Sequence, residues 1–246
     1  MDTGHITQLA TDELGRSKAV YHQDLTRPPG QTHLKVDDLG AGDITFVDTG
    51  FPNSNPAHQF TADGLLLSID RPLGANVNIG EWAAADMQGV TLPATFLLIA
   101  TFDRPSRIAL GAGPSSGVYA PSLLINTGAT LMGATSQFRP EGIRLNLPGT
   151  GVMPNRPSIT QTMADRIVDA QHPSAFTLAL TVNRSATTAV GKAFLFVGND
   201  EADSIGFNFV NPPTPVVDIR AGVGTANGVN YGASVFLLDL QIWAPR

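Results

Sequence analysis

The sequence predicts an all-β domain, a sandwich or a barrel, and three observations carry that reading. From Asp43 onward, short runs of strand-like composition are separated by Gly, Pro, Asn and Asp clusters, the spacing of antiparallel strands and their turns. Several runs alternate with period two, as in Phe176-Thr177-Leu178-Ala179-Leu180-Thr181-Val182, where the large apolar residues share one face. The closing stretch from Val216 to Trp243 reads as two strands joined by a long Gly/Asn loop. Its last strand is apolar on both faces apart from Asp239 and Gln241, so it belongs at the centre of a sheet, covered on both sides. No repeat of roughly 20 to 50 residues recurs, which disfavours a propeller or a solenoid.

Taken in order, residues 1–40 form an N-terminal arm that holds three of the five histidines (His5, His22, His33) and the Pro28-Pro29-Gly30 break. A short helix is expected around Thr11 to Val20, with Thr11 or Asp12 as its cap, or else the arm docks on a neighbouring subunit. Residues 41–246 form the β domain. Its expected strands are Ile44–Asp48, Gly64–Asp70, Ala94–Asp103, Ser106–Gly111, Gly117–Asn126, Leu131–Phe138, Gly142–Leu147, Phe176–Asn183, Lys192–Val197, Ser204–Phe209, Val216–Val223 and Ser234–Trp243. Ile159 to Ala170 carries apolar residues at helical spacing and reads as the one later helix. Leu65-Leu66-Leu67, Phe96-Leu97-Leu98-Ile99 and Phe194-Leu195-Phe196-Val197 are continuous apolar runs and belong in the doubly covered interior. The Thr and Ala face of Phe176 to Val182 is expected in solvent or under a groove.

Composition limits the function classes. The chain has 246 residues, enough for one large β domain, and is 42% apolar but only 15% charged. A formal charge of −6 with 15 unclustered Lys and Arg argues against nucleic acid as a partner, because phosphate binding needs basic patches. The absence of cysteine excludes disulfides, thiolate metal sites and Cys nucleophiles. Nothing approaches the roughly 18 consecutive apolar residues of a membrane span. The segment from Met1 to Lys18 has acids where a signal peptide has bases, so an export signal has been trimmed, export takes another route, or the protein stays inside.

Candidate sites were weighed against ordinary structural roles. Glu201 and Asp203 would share a strand face, as paired glycosidase acids must, but Gly206 stands where a further acid is required. Asp200, Glu201 and Asp203, with Asn199, could offer oxygen ligands to calcium, as could the run from Asp48 to Asn55; neither has EF-hand spacing, and Asn and Asp are ordinary turn formers. Gly113-Pro114-Ser115-Ser116-Gly117 spells the serine-hydrolase elbow but lacks a following helix, and no nearby Asp marks His58 or His172 as a triad partner. Gly222 to Gly228 is not a dinucleotide fingerprint, since the last Gly is late and no helix follows. Asn183-Arg184-Ser185 is a glycosylation sequon, without meaning in a bacterial or viral product. Sugar recognition combines an aromatic face with amide and carboxylate groups. On that basis the ligand-binding candidates are Trp82, Tyr119, Asn227, Asn230 and Tyr231, with a core role weighed for Trp82 and expected for Trp243.

The order of features from Phe60 to Trp243 resembles the concanavalin A-like lectin and glucanase jelly roll, in its laminin-G-like and pentraxin-like branches. Phe60 to Leu67 is similar to the family's opening of phenylalanine, turn, Asp-Gly and apolar strand; Phe176 to Val182 and Lys192 to Gly198 resemble the paired strands that follow; Asp239-Leu240-Gln241-Ile242-Trp243 resembles the last strand. The resemblance implies a two-sheet antiparallel jelly-roll sandwich, often with glycan binding or adhesion at one sheet or rim. The expected function is therefore a non-enzymatic, lectin-like module for carbohydrate binding or surface attachment, working outside the cell or on a virion surface as a homo-oligomer. The rival is a structural virion or particle component partnered by capsid or fibre proteins, and the third reading is a polysaccharide-cleaving enzyme.

Overall fold

The computed structural model describes residues 1–27, 35–49, 56–71, 79–103, 118–128, 131–139, 142–147, 159–160, 175–185, 189–209, 215–225 and 231–246. In chain order the elements are α1 (Thr3–Leu14), β1 (Ser17–Asp24), β2 (Lys35–Asp37), β3 (Thr45–Thr49), β4 (Ala57–Thr61), β5 (Gly64–Arg71), β6 (Ile79–Asp86), β7 (Thr95–Asp103) and β8 (Val118–Asn126). They continue with β9 (Leu131–Arg139), β10 (Gly142–Asn146), β11 (Ile159–Thr160), β12 (Phe176–Arg184), β13 (Ala189–Val197), β14 (Asp200–Phe209), β15 (Asp218–Thr225) and β16 (Tyr231–Pro245). One sheet has the order β14-β13-β12-β7-β16-β1-β2, with β5 also on β16 and β4 on β5; the other runs β11-β10-β9-β8-β15-β6-β3. Neighbouring strands are antiparallel throughout, and the chain crosses repeatedly between the sheets, as at β5 to β6, β6 to β7, β7 to β8 and β15 to β16. This is the expected two-sheet jelly-roll sandwich.

The alternation read from the sequence orients the layers. Phe176, Leu178, Leu180 and Val182 of β12 join Phe96, Leu98, Ala100 and Phe102 of β7 in the core, facing Leu123, Ile125, Ile219, Ala221 and Val223 of the second sheet. Phe102 and Phe176 are partners in register and their rings stack, centroids 5.4 Å apart. β16 is central as expected. β7 occupies one edge of it, while β5 pairs with its first half and β1 with its second.

The first sheet's outer face also needs cover, because β7 and β13 place Leu97, Ile99, Phe194 and Phe196 there. Helix α1 supplies it: Ile6, Leu9 and Ala10 pack on those four residues and Ala179, with Met1, Leu14 and Trp243 at the margin. The Thr and Ala face of β12 is therefore neither in solvent nor under a groove, and residues 176–182 are buried on both sides. The helix also lies earlier than Thr11 to Val20. Asp2 is its cap, accepting from His5 N at 3.0 Å, and Gly15, at φ 70°, ends it. Ser17 to Val20, expected at the end of that helix, instead belong to β1, which runs along β16 and carries Val20 and Tyr21 into the core.

Asp2 does a second job. Its backbone N–H donates to Asn199 Oδ1 at 2.9 Å, and Asn199 Nδ2 donates back to Asp2 Oδ2 at 2.7 Å. Asn199 sits in the two-residue turn between β13 and β14, where Gly198 takes the positive φ of 59° that a tight hairpin requires. The helix start is thereby tied to the far edge of the sheet it covers. Ser106–Gly111 and most of Ile159 to Ala170 lie outside the described residues; the part described, Ile159–Thr160, is a short strand on β10.

If α1 is held by this apolar seam, Leu9→Ala should lower unfolding stability by about 2–4 kcal/mol, whereas Thr7→Ala, exposed on the same helix, should change it by less than about 0.5 kcal/mol. Urea unfolding of the two variants measures both.

Candidate functional site

Several connections meet at one end of the sandwich. Thr49 at the end of β3 pairs with Gly80 near the start of β6, and Ile79 pairs with Thr225 at the end of β15. Across in the other sheet, Tyr231 opens β16 beside Arg71, the last residue of β5. The strand ends that flank residues 50–55, 72–78 and 226–230 lie at this rim; those segments, whose sequence holds Asn53, Asn55, Asn76, Asn78, Asn227 and Asn230, lie outside the described residues. The register of β8 on β15, Ser122 against Gly222, runs the start of β8 and Tyr119 to the same end. Asn227 and Asn230 lie outside the described residues, as do the side chains of Tyr119 and Tyr231.

Trp82 stands just inside the rim on β6, and it is buried rather than exposed. Core residues Ala83 and Ala85 set the inward face of β6, so Trp82 lies on the outer face of the second sheet. Two glycines make room for it. A Cβ on Gly80 would come within 2.5 Å of the indole, and one on Gly222, its partner in register, within 3.1 Å. Trp243 is half-buried against α1, and its Nε1 donates to Gln241 Oε1 at 2.8 Å.

Glu81 belongs to the inward face of β6 with Ala83 and Ala85, and its side chain is only 2% exposed. His58 Nδ1, on β4 of the opposite sheet, donates to Glu81 Oε1 at 2.7 Å. The His58 ring lies flat on Phe46 of β3, centroids 3.6 Å apart and 7° from parallel, and Phe46 meets Phe60 edge-on at 6.4 Å. Burial pushes the Glu81 carboxyl above its ordinary range; the hydrogen bond and charge of His58 oppose that rise, and Asp48 adds to it. A search for an Asp near His58 in sequence misses this pair, because the partner is a Glu on another strand. The signal was present in Glu81-Trp82-Ala83-Ala84-Ala85, where an acid shares its parity with two small inward residues.

The acids singled out in the sequence are not brought together. β14 carries a bulge at Ala202, so Glu201 opposes Phe196 of the outer face while Asp203 opposes Leu195 of the core face. Glu201 and Asp203 therefore do not share a face, and Asp200 sits at the hairpin turn. Among the described residues, no three His, Cys, Asp or Glu side chains are grouped as a metal site would need. On the second sheet's outer face Asp218 is engaged by Arg220, whose Nη2 donates at 2.9 Å, and by Asn126 Nδ2 at 2.8 Å. The hydrolase-like Gly113 to Gly117 and His172 lie outside the described residues.

A second polar cluster lies under the start of α1. Asp239 accepts from Gln241 Nε2 at 3.2 Å and from the Thr101 hydroxyl, and stands opposite Asp24 in register. Thr101 and Thr177 hydroxyls lie 3.4 Å apart, with the Met1 ammonium 3.4 Å from Thr177. Burial pushes the Asp239 carboxyl up to about 6, beyond what these hydrogen bonds and the nearby ammonium recover.

No family model matches the sequence, and no curated protein matches it. Solved structures do align. Arcelin-5, a lectin-like defence protein from Phaseolus vulgaris, is 9% identical, with 83% of this chain and all (100%) of that chain covered at a TM-score of 0.42. Lectin II from Ulex europaeus is 7% identical over 94% and 99% at 0.45, and a lectin from Bauhinia forficata in complex with GalNAc is 13% identical over 90% and 97% at 0.42.

The folded chain holds a proton on Asp239 that the unfolded chain releases near 3.8, so this residue's contribution to stability is full in acid and lost as pH rises through about 6. Asp239→Asn should accordingly raise the melting temperature more at about pH 7.5 than at about pH 4.5, measured by scanning calorimetry at both.

Proposed function

We propose that the chain is a non-enzymatic module that binds carbohydrate at the loop-bearing rim, for recognition or surface attachment. The observation that supports this is the convergence at one end of the strand ends that flank three segments, whose sequence holds six asparagines, together with the starts of β8 and β16, which carry Tyr119 and Tyr231. Each Asn amide offers two donors and a carbonyl acceptor, which suits the mixed donor and acceptor character of sugar hydroxyls. A tyrosine ring supplies the flat apolar surface on which a pyranose packs. Such a rim gives shallow, weak sites, and a homo-oligomer outside the cell or on a particle surface would raise avidity.

A cleaving enzyme is disfavoured by the separation of Glu201 from Asp203 and by the engagement of Asp218 with Arg220 and Asn126. The particle reading drew on an arm without a place to pack, and α1 has one on the chain's own sheet. Trp82 is better suited to shaping the rim from beneath than to touching a ligand.

A glycan array probed with and without calcium should return a consistent hit. Replacing Asn227 and Tyr231 together by Ala should weaken binding to that glycan at least about tenfold while moving the melting temperature by less than about 2 °C. An array without hits at any concentration, or a variant that binds as the parent does, would contradict the reading.

A further inference from the structure

β4 is bonded to a single strand, β5, among the described residues, and Ala57, His58 and Gln59 are exposed. Its hold on the second sheet comes from His58 and Phe60, through the stack on Phe46 and the hydrogen bond to Glu81. Glu81 Oε2 is buried without a hydrogen-bond partner among the described residues. A carboxylate buried in that way is costly unless its charge is matched, and removing the matching partner leaves the full penalty. The group positioned to match it is His58, which is held in place by its stack on Phe46. Asp48, opposite Glu81 on β3, is a like charge; Leu67 of β5, opposite His58, and Val223 of β15, opposite Glu81, carry none.

We propose that β4 is a pH-controlled flap: the His58–Glu81 pair clamps it to the second sheet in mildly acidic solution, while the pair keeps its shared proton, and releases it when that proton is lost. With the flap closed, loss of the proton leaves a buried carboxylate anion facing Asp48. With the flap open, water solvates that anion. The closed state therefore keeps the proton to higher pH, and closure is favoured below that range and lost as pH rises through it. The raised Glu81 carboxyl has the sign this requires. Opening would uncover Phe46, Phe60 and Glu81 beside the rim, whether or not the rim binds sugar.

Amide hydrogen exchange on the intact protein tests the flap. Protection at residues 57–61, corrected for intrinsic exchange and referred to β12, should fall at least about tenfold between about pH 5.5 and about pH 8. Glu81→Gln and His58→Gln should each flatten that dependence; if one does not fold, the other decides. Equal protection at both pH values in the parent, or the same pH response surviving in the variants, would overturn the proposal.

Discussion

Burial of β7 and β12 on both faces is the constraint on which the rest of the structure depends. One face joins the core between the sheets through Phe96, Leu98, Ala100, Phe102, Phe176, Leu178, Leu180 and Val182. The other looks outward, where a two-layer sandwich would leave Leu97, Ile99 and Ala179, with Phe194 and Phe196 of β13, in water. An apolar surface of that extent calls for a third layer. The chain provides one from its own N-terminus: α1 seals the face, the Asp2–Asn199 bonds pin its start, and β1 follows directly to line the second half of β16. First and last segments therefore complete each other.

The polar groups inside this framework divide by how fully they are matched. Asp218 is neutralised by Arg220 and further bonded by Asn126, a satisfied pair that fixes the ends of β8 and β15. Asp239 is hydrogen-bonded yet still carries a raised carboxyl, because desolvation under α1 and the neighbouring Asp24 outweigh the Gln241 and Thr101 donors. Glu81 is the least satisfied of the three, with one oxygen on His58 and the other without a hydrogen-bond partner among the described residues. Incomplete matching of this kind makes local stability sensitive to proton concentration, and it occurs where β4 has least backbone support.

The strand framework was legible because large apolar residues at alternate positions can be buried only one way. Phe176 to Val182 declared its core face, and the continuous runs at Phe96 and Phe194 declared a second cover. What would provide that cover was not legible: Ile6, Leu9 and Ala10 form too short a stripe to stand out, and the helix that Asp2 caps ends at Gly15, inside the stretch Thr11 to Val20. β6 was missed because Ala83, Ala84 and Ala85 carry little strand propensity; their small size suits them to the layer beneath Phe46 and beside Trp82. β4 was missed because three of its five residues are exposed and polar or small. At the candidate site, composition pointed to the rim loops, but the His58–Glu81 pair depends on two sheets meeting, and the bulge at Ala202 that parts Glu201 from Asp203 has no sequence signature of its own.

The central claim is that α1 seats on the outer face of its own chain's first sheet and so completes the burial of β7 and β12. Nuclear Overhauser contacts between the Ile6 and Leu9 methyls and the Phe194 and Trp243 rings measure it directly, recorded on uniformly labelled protein and again on a mixture of labelled and unlabelled chains with isotope filtering. Strong contacts in the uniform sample, with none between labelled and unlabelled chains, are the result this account predicts. Contacts that arise only between chains, or that are missing from both samples, would contradict it.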